Sequence, residues 1–427
     1  MSKKFLVVLL VLVAAAGFVY ARGEAEKAAP KAQTLRVQWW GSQTRNDQTI
    51  AVGKLFTAKY PNVTIEPEFL GWSGYFEKVA TQAAGGDMAD VVQMNLAKGW
   101  GLQFLEKGLL TDMTPYVKKG ALKIDDIAPA ALQAFQLKGG LYAIPLGTSA
   151  ATFVYNEEMF QKAGVALPTR DWTWKDFQAA ALKLHKELGV FGFGEIVGYD
   201  IFPIYLRQQG ATFFAADGKG LGYSNDAYFA DFFRMKLELQ KEKAMPTPTE
   251  IKQLSGLEDK YIVRKQAAMD FVYSNQSPTV STASKTVVFK NAFIPGPNVQ
   301  KGMSLLITME FTIPSQGKKQ DMAANFIDFF VNDVAANKVM MGERGVPVSS
   351  KIRDALLTDL QPAQKEMFRF ITDVSGYCSA GDPLPPTKST EVIQILKDVE
   401  EEILFGVVTP EAGAAKFRKL AEAVLKS

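Results

Sequence analysis

One histidine, His185, and one cysteine, Cys378, restrict the chemistry that this 427-residue chain offers. A metal site needs several convergent ligands, and a nucleophile needs a base to activate it. The chain has no second histidine, no CxxC pair, no GxSxG elbow and no GxxxxGK[ST] phosphate loop. No catalytic residue, metal or cofactor is therefore expected. His185 sits within a helical pattern and reads as a packed or surface residue. GKGLG (218–222) reads as a turn, and the acidic run VEEEIL (399–404) as the wet face of a helix. Glycoside cleavage requires two carboxylates that converge in space, and no pair is nominated by spacing.

Aromatic placement is the stronger signal. All six tryptophans precede residue 175. Trp39 and Trp40 end the strand-like run LRVQWW, where successive side chains point to opposite faces. Leu35, Val37 and Trp39 read as the core face. Trp40 lies at the carboxyl end, where open α/β sheets bind ligands, and either packs there or faces a ligand. Asn95 ends DVVQMN in the same way, and Trp72 and Tyr75 follow Gly71 at a helix start. Flat apolar rings beside hydrogen-bonding tips suit sugar rings.

Strand and helix patterns alternate, which predicts an α/β protein with largely parallel sheets. Strands are expected at 35–40, 62–69 and 90–95, and helices at 47–60 and 72–84. Asn156 caps EEMFQKA, with Tyr155 and Phe160 as a hydrophobic staple. Thr173 caps the next helix, with Asp176 three residues on and Trp172 stapled to Phe177. That helix places Trp174, Phe177, Ala181, Leu184 and Leu188 on one face. Met322, Phe326, Phe329 and Phe330 form another stripe, and Thr409-Pro410 opens a last helix.

The ends and the charge balance bound the setting. Lys3 and Lys4 precede an apolar run from Phe5 to Phe18, and Val19-Tyr20-Ala21 fits signal peptidase, so 1–21 reads as a cleaved signal peptide. Residues 22–34 read as a flexible spacer without large apolar side chains. With no cysteine near the cut, no lipid anchor is expected. Basic and acidic residues number 48 and 45, and no basic block occurs, which argues against nucleic acid as partner. A chain this long is expected to form two lobes.

Several segments, in order, then resemble the extracellular solute-binding proteins of ABC importers, in the family that binds mainly sugars. They are KYPNVTIE (59–66), AAGGDMADVV (83–92), GLLTDMTPYVKKG (108–120), GGLYAIP with FVYNEEMFQKAGV and WTWKDFQAAALKL (139–184), QAAM (266–269) and AANFIDFFVND (323–333). The resemblance implies a two-lobe periplasmic-binding-protein fold of type II topology, each lobe a mostly parallel sheet flanked by helices. The implied N-terminal lobe is 33–148 with 297–345, and the C-terminal lobe 149–296 with 346–427. Crossings are expected at Thr148-Ser149-Ala150, near AFIPGPN (292–298) and at 345–349, with a ligand cleft beside them. Where the family commonly has a stacking tryptophan after the AAM strand, this chain has Asn275, with Tyr273 close by. The family pattern also has proline at Ala89 and glycine at Lys265.

Carried onto this chain, the ligand-binding residues implied are Trp40, Asn95, Thr148, Tyr273 and Asn275, with Trp72, Tyr75, Tyr199, Asp200, Glu310 and Arg344. The expected role is capture of a mono- or oligosaccharide in the periplasm and delivery to an ABC-transporter permease, by a monomer and without catalysis. Two alternatives stand beside it: an anionic ligand, such as a sugar phosphate or uronate, held by Arg45, Arg207 and Arg344, and an exported glycan-cleaving enzyme.

Overall fold

The computed structural model describes residues 32–427 apart from 97–98, 134, 138, 308, 380 and 383–384. The expected signal peptide, and the spacer as far as residue 31, lie outside the described residues. No helix among the described residues is long and apolar enough to cross a membrane.

Among the described residues there are eleven strands, nine of them in two main sheets: β1 Gln33–Trp40, β2 Val63–Leu70, β3 Val91–Met94, β4 Gln136–Leu137, β5 Gly140–Leu141, β6 Ile144–Pro145, β7 Ala151–Tyr155, β8 Phe191–Phe193, β9 Ala267–Tyr273, β10 Lys290–Ala292 and β11 Glu310–Thr312. The first sheet has the order β2-β1-β3-β11-β6 and the second β10-β7-β9-β8, while β4 and β5 form a separate hairpin. In the first sheet β1 runs parallel to β2 and β3, and β11 runs against both its neighbours. In the second, β8 and β9 are parallel and β7 runs against β9 and β10. Each sheet is thus parallel in direction except for one strand. The reversed strands, β7 and β11, are the ones reached from the other sheet, so they start at the end where their neighbours finish.

Each sheet has its own core. Phe56, Phe311, Phe326 and Phe330 fill the first, and Phe153, Phe177, Phe193 and Phe202 the second. Leu35, Val37 and Trp39 are fully buried, and the Trp39 indole donates to Asn46 Oδ1 at 2.9 Å. Thr148 and Val346 exchange backbone hydrogen bonds at 2.8 Å, and Ser149 does so with Leu306 at 2.7 and 2.9 Å. Three chain passages therefore lie side by side between the sheets. The middle one pairs at Leu306, beyond the AFIPGPN stretch, because Met303 still packs in the second core.

Local grammar explains the helix starts. Asn156 Oδ1 accepts from Met159 N, and Thr173 with Asp176 completes a reciprocal capping box. Trp172 and Phe177 meet edge to face at 5.9 Å, and Tyr155 and Phe160 at 5.3 Å. The first helix begins at Gln43 rather than 47, because Ser42 accepts from Arg45 N. The next begins at Tyr75 rather than 72, because Gly74 at φ +78° breaks the turn before it. Thr173→Ala removes the cap oxygen and is expected to cost about 1 kcal/mol, read as a lower urea midpoint at unchanged slope.

Candidate functional site

The two reversed strands give the site its geometry. Glu310 starts β11 opposite Met94 at the end of β3, and Ala151 starts β7 opposite Tyr273 at the end of β9. Trp40, Asn95 and Glu310 therefore share one end of the first sheet, and Tyr273 and Asn275 one end of the second. Thr148 lies in the passage between the sheets, half-buried and bonded to Val346.

On the first sheet the aromatic candidates form one stack. Trp40 is buried against Trp72, Tyr75 and Phe76 at centroid distances of 5.3, 5.2 and 5.7 Å. Trp100, which lies between two left-handed glycines, completes it, 5.4 Å from both Trp72 and Phe76. Trp72 alone of the expected residues is strongly open, at 43% exposure. Tyr75 is fully buried and donates its hydroxyl to Gln93 O at 2.8 Å, so it supports the stack and presents no surface. Trp100 escaped the sequence reading, although a tryptophan flanked by glycines is a recognisable signal for a ring displayed on a turn.

A buried polar network lies behind Trp40. Arg45 donates to Trp40 O at 3.0 Å and grips both oxygens of Glu343 at 2.8 and 2.9 Å. Arg344 donates to Gln93 Oε1 and Thr49 Oγ1 at 2.8 Å and lies 5.1 Å over the Phe330 ring. Burial, then the neighbouring Arg45 charge, pulls Arg344 below the usual guanidinium value. Asn275 reaches this network from the second sheet, donating to Glu343 O at 3.2 Å. Arg344 is only 3% exposed, so it acts here as a structural tie.

Glu310 is fully enclosed. One carboxyl oxygen accepts from Leu96 N and the other has no hydrogen-bond partner among the described residues. Burial raises its pKa well above the usual carboxylate range. Asn95 Oδ1, in the adjoining turn, is likewise buried without a partner among the described residues. On the second sheet the Tyr273 hydroxyl donates to Asp200 Oδ1. Tyr199 precedes Asp200 and stays half-buried under the Lys397 ammonium, 4.3 Å from the ring. The Asp200 charge, then burial, raises the Tyr199 phenol, and burial, then Asp200, raises Tyr273.

Eight of the eleven expected residues thus fall into three groups, an aromatic stack, a buried Arg–Glu–Gln network and the Tyr199–Asp200–Tyr273 cluster, while Asn95 and Glu310 lie at the end of the first sheet and Thr148 in the passage between the sheets. Two surface hollows, of about 200 and 280 Å3, are lined by other residues, among them Asp171 and Tyr377 in one and Ile50 and Thr57 in the other. VEEEIL is a correction to the sequence reading: Glu400 is buried in an ion pair with Lys236 rather than wetted.

Two lobes of mixed α/β structure, joined by three passages with aromatic and polar groups at the joining end, define the class of two-lobe binding proteins. The chain belongs to the bacterial extracellular solute-binding protein family, whose model matches residues 40–337. A binding protein of Brucella abortus is 27% identical over 166 residues, 38% of this chain, and the chain spans only 39% of that relative's length. An extracellular solute-binding protein family 1 structure from Alicyclobacillus acidocaldarius is 26% identical, with TM-score 0.69, covering 93% of this chain and 100% of its own. A periplasmic oligogalacturonide binding protein from Yersinia enterocolitica, solved with saturated digalacturonic acid, is 21% identical, with TM-score 0.80, covering 92% and 99%.

Proposed function

We propose that this chain captures a neutral mono- or oligosaccharide between its lobes and delivers it to the membrane permease of an ABC importer. The observation that carries the reading is the open Trp72 indole, seated on the Trp40, Phe76 and Trp100 rings at the carboxyl end of the first sheet. A rigid apolar plate of this kind stacks on a sugar ring at low entropic cost. Tyr199, Asp200, Tyr273 and Asn275 supply the hydrogen-bonding wall from the second lobe, and the Thr148, Leu306 and Val346 passages are the hinge about which the lobes close. The protein acts as a monomer in the periplasm, makes and breaks no bond in its ligand, and needs no nucleic acid.

An anionic ligand is the second reading, supported by the likeness to the oligogalacturonide binder. Its three carriers are already engaged. Arg45 holds Glu343, Arg344 holds Gln93 and Thr49, and Arg207 donates to Lys301 O and Ser379 Oγ at 3.1 and 2.6 Å beside Asp382. Turning any of them toward a carboxylate forfeits these bonds, which favours the neutral class.

Thermal unfolding against neutral sugars, uronates and sugar phosphates tests this. A neutral sugar at about a hundred times its Kd is expected to add about 2.7 kcal/mol of stability. A shift with anions alone reassigns the site to the arginines, and no shift with any compound removes the sugar reading.

A further inference from the structure

The segment from Gly194 to Asp200 carries two of the candidate ligand residues, and it passes over two buried carboxylates. A Cβ on Gly194 would lie 2.3 Å from Asp270 Oδ2, and one on Gly198 would lie 2.3 Å from Glu400 Oε2. Backbone thus rests directly on both acids, a closeness that only glycine permits. Each acid has its own cation. Lys260 Nζ donates to Asp270 Oδ1 at 2.9 Å and lies 3.7 Å from Glu195 Oε2, on the segment itself. Lys236 Nζ donates both to Glu400 and to Ile196 O, again on the segment.

These groups come from four separate places: Lys236 from the Ala227–Lys241 helix, Glu400 from the Ser389–Leu404 helix, Asp270 from β9, and Lys260 from the turn after Leu257–Asp259. Lys236, Glu400 and Asp270 are 3, 8 and 1% exposed. Buried ion pairs are poor devices for stability alone, since apolar replacements of similar volume are often neutral or better. They do fix position, because every partner must stay in place to keep its charge compensated. What they fix here is the start of the Gly198–Gln208 helix. The Glu400 carboxylate sits at its first residue, where the peptide dipoles favour an anion. Two residues on, Asp200 receives the Tyr273 hydroxyl.

We infer that Lys236–Glu400 and Lys260–Asp270 are positioning residues that hold the first turn of this helix, and with it Tyr199 and Asp200, at the ligand cleft. The cleft role of those two residues rests on the proposed function. The hold itself does not, so it is tested without any ligand.

Amide hydrogen exchange on the whole chain reads it directly, at Asp200 and Ile201, whose N–H groups bond Val197 O at 3.1 and 3.0 Å. Lys260→Met and Gly198→Ala are expected to speed exchange at these two amides at least about tenfold. Lys260→Arg, which keeps the charge, is expected to stay near the unmodified rate. The Gln320–Asn332 helix of the first lobe should exchange unchanged in all three. Unchanged exchange at Asp200 and Ile201 in both disruptive variants overturns the inference. So does a uniform rise across the second lobe, which would make these pairs part of the general core. If Lys260→Met does not fold, Gly198→Ala against the unmodified chain decides alone, because its effect is local crowding.

Discussion

Glu310→Gln is expected to raise the melting temperature at pH 8 and to leave it nearly unchanged at pH 4. Glu310 is fully buried, receives one backbone N–H from Leu96, and has no hydrogen-bond partner among the described residues on its second oxygen. Burial therefore lifts its folded-state pKa well above the ordinary value of 4.5. The sign of the pH dependence follows. Below the unfolded-state value both states hold the proton and the group costs nothing. As pH rises, the unfolded chain releases its proton while the folded one keeps it, so stability falls until the folded pKa is passed. Each pH unit between the two values is worth about 1.4 kcal/mol. Glutamine keeps the acceptor for Leu96 N and carries no charge to desolvate. The gain at pH 8 should thus be several degrees, at roughly 2–4 °C per kcal/mol. Equal melting temperatures for the two proteins at pH 8 would show that Glu310 titrates as an ordinary solvated acid. Glu310→Ala should instead destabilise at both pH values, by about 1–3 kcal/mol, because Leu96 N loses its acceptor.

The contrast between Glu310 and the caps shows what kind of information one sequence holds. Asn156 and Thr173 declare their roles within three residues, and the structure has both as read. Lys265 is similar: glycine is the residue the family pattern has there, and the lysine adopts φ +60°, a left-handed conformation that glycine accepts freely. Parity likewise marked Leu35, Val37 and Trp39 as core. Glu400 is the opposite case. Its neighbours Glu401 and Glu402 are more exposed, so VEEEIL looks like a solvated stripe. What buries Glu400 is Lys236, 164 residues away in the chain. Tyr75 has the composition of a ligand residue, yet its hydroxyl closes a gap between two strands that only the folded sheet creates. Legibility therefore ends where a residue's partner is remote and chosen by topology.

Trp72→Ala is the substitution with the largest expected effect on ligand capture. The indole is 43% exposed, so its outer face gives up little when the ligand-free protein loses it. Its inner side meets Trp40, Phe76 and Trp100 at 5.3, 5.6 and 5.4 Å, edge to face. Such contacts are worth about 0.5–1.5 kcal/mol each in packed aromatic pairs, so unliganded stability should fall by only about 1–2 kcal/mol at this half-open position. Binding is another matter. A tryptophan anchor at the centre of a recognition surface commonly accounts for about 2 kcal/mol or more, which corresponds to a Kd weakened roughly thirtyfold. Titration calorimetry with a neutral sugar that stabilises the unmodified protein gives the comparison. Trp72→Phe should recover part of the affinity, because a smaller ring still offers a flat face over the same stack. Trp100→Ala should weaken binding less than Trp72→Ala but destabilise the free protein comparably, since it supports the plate from beneath. Affinity unchanged in Trp72→Ala, with a measurable loss of stability, would move the sugar away from the aromatic stack and leave that stack as core.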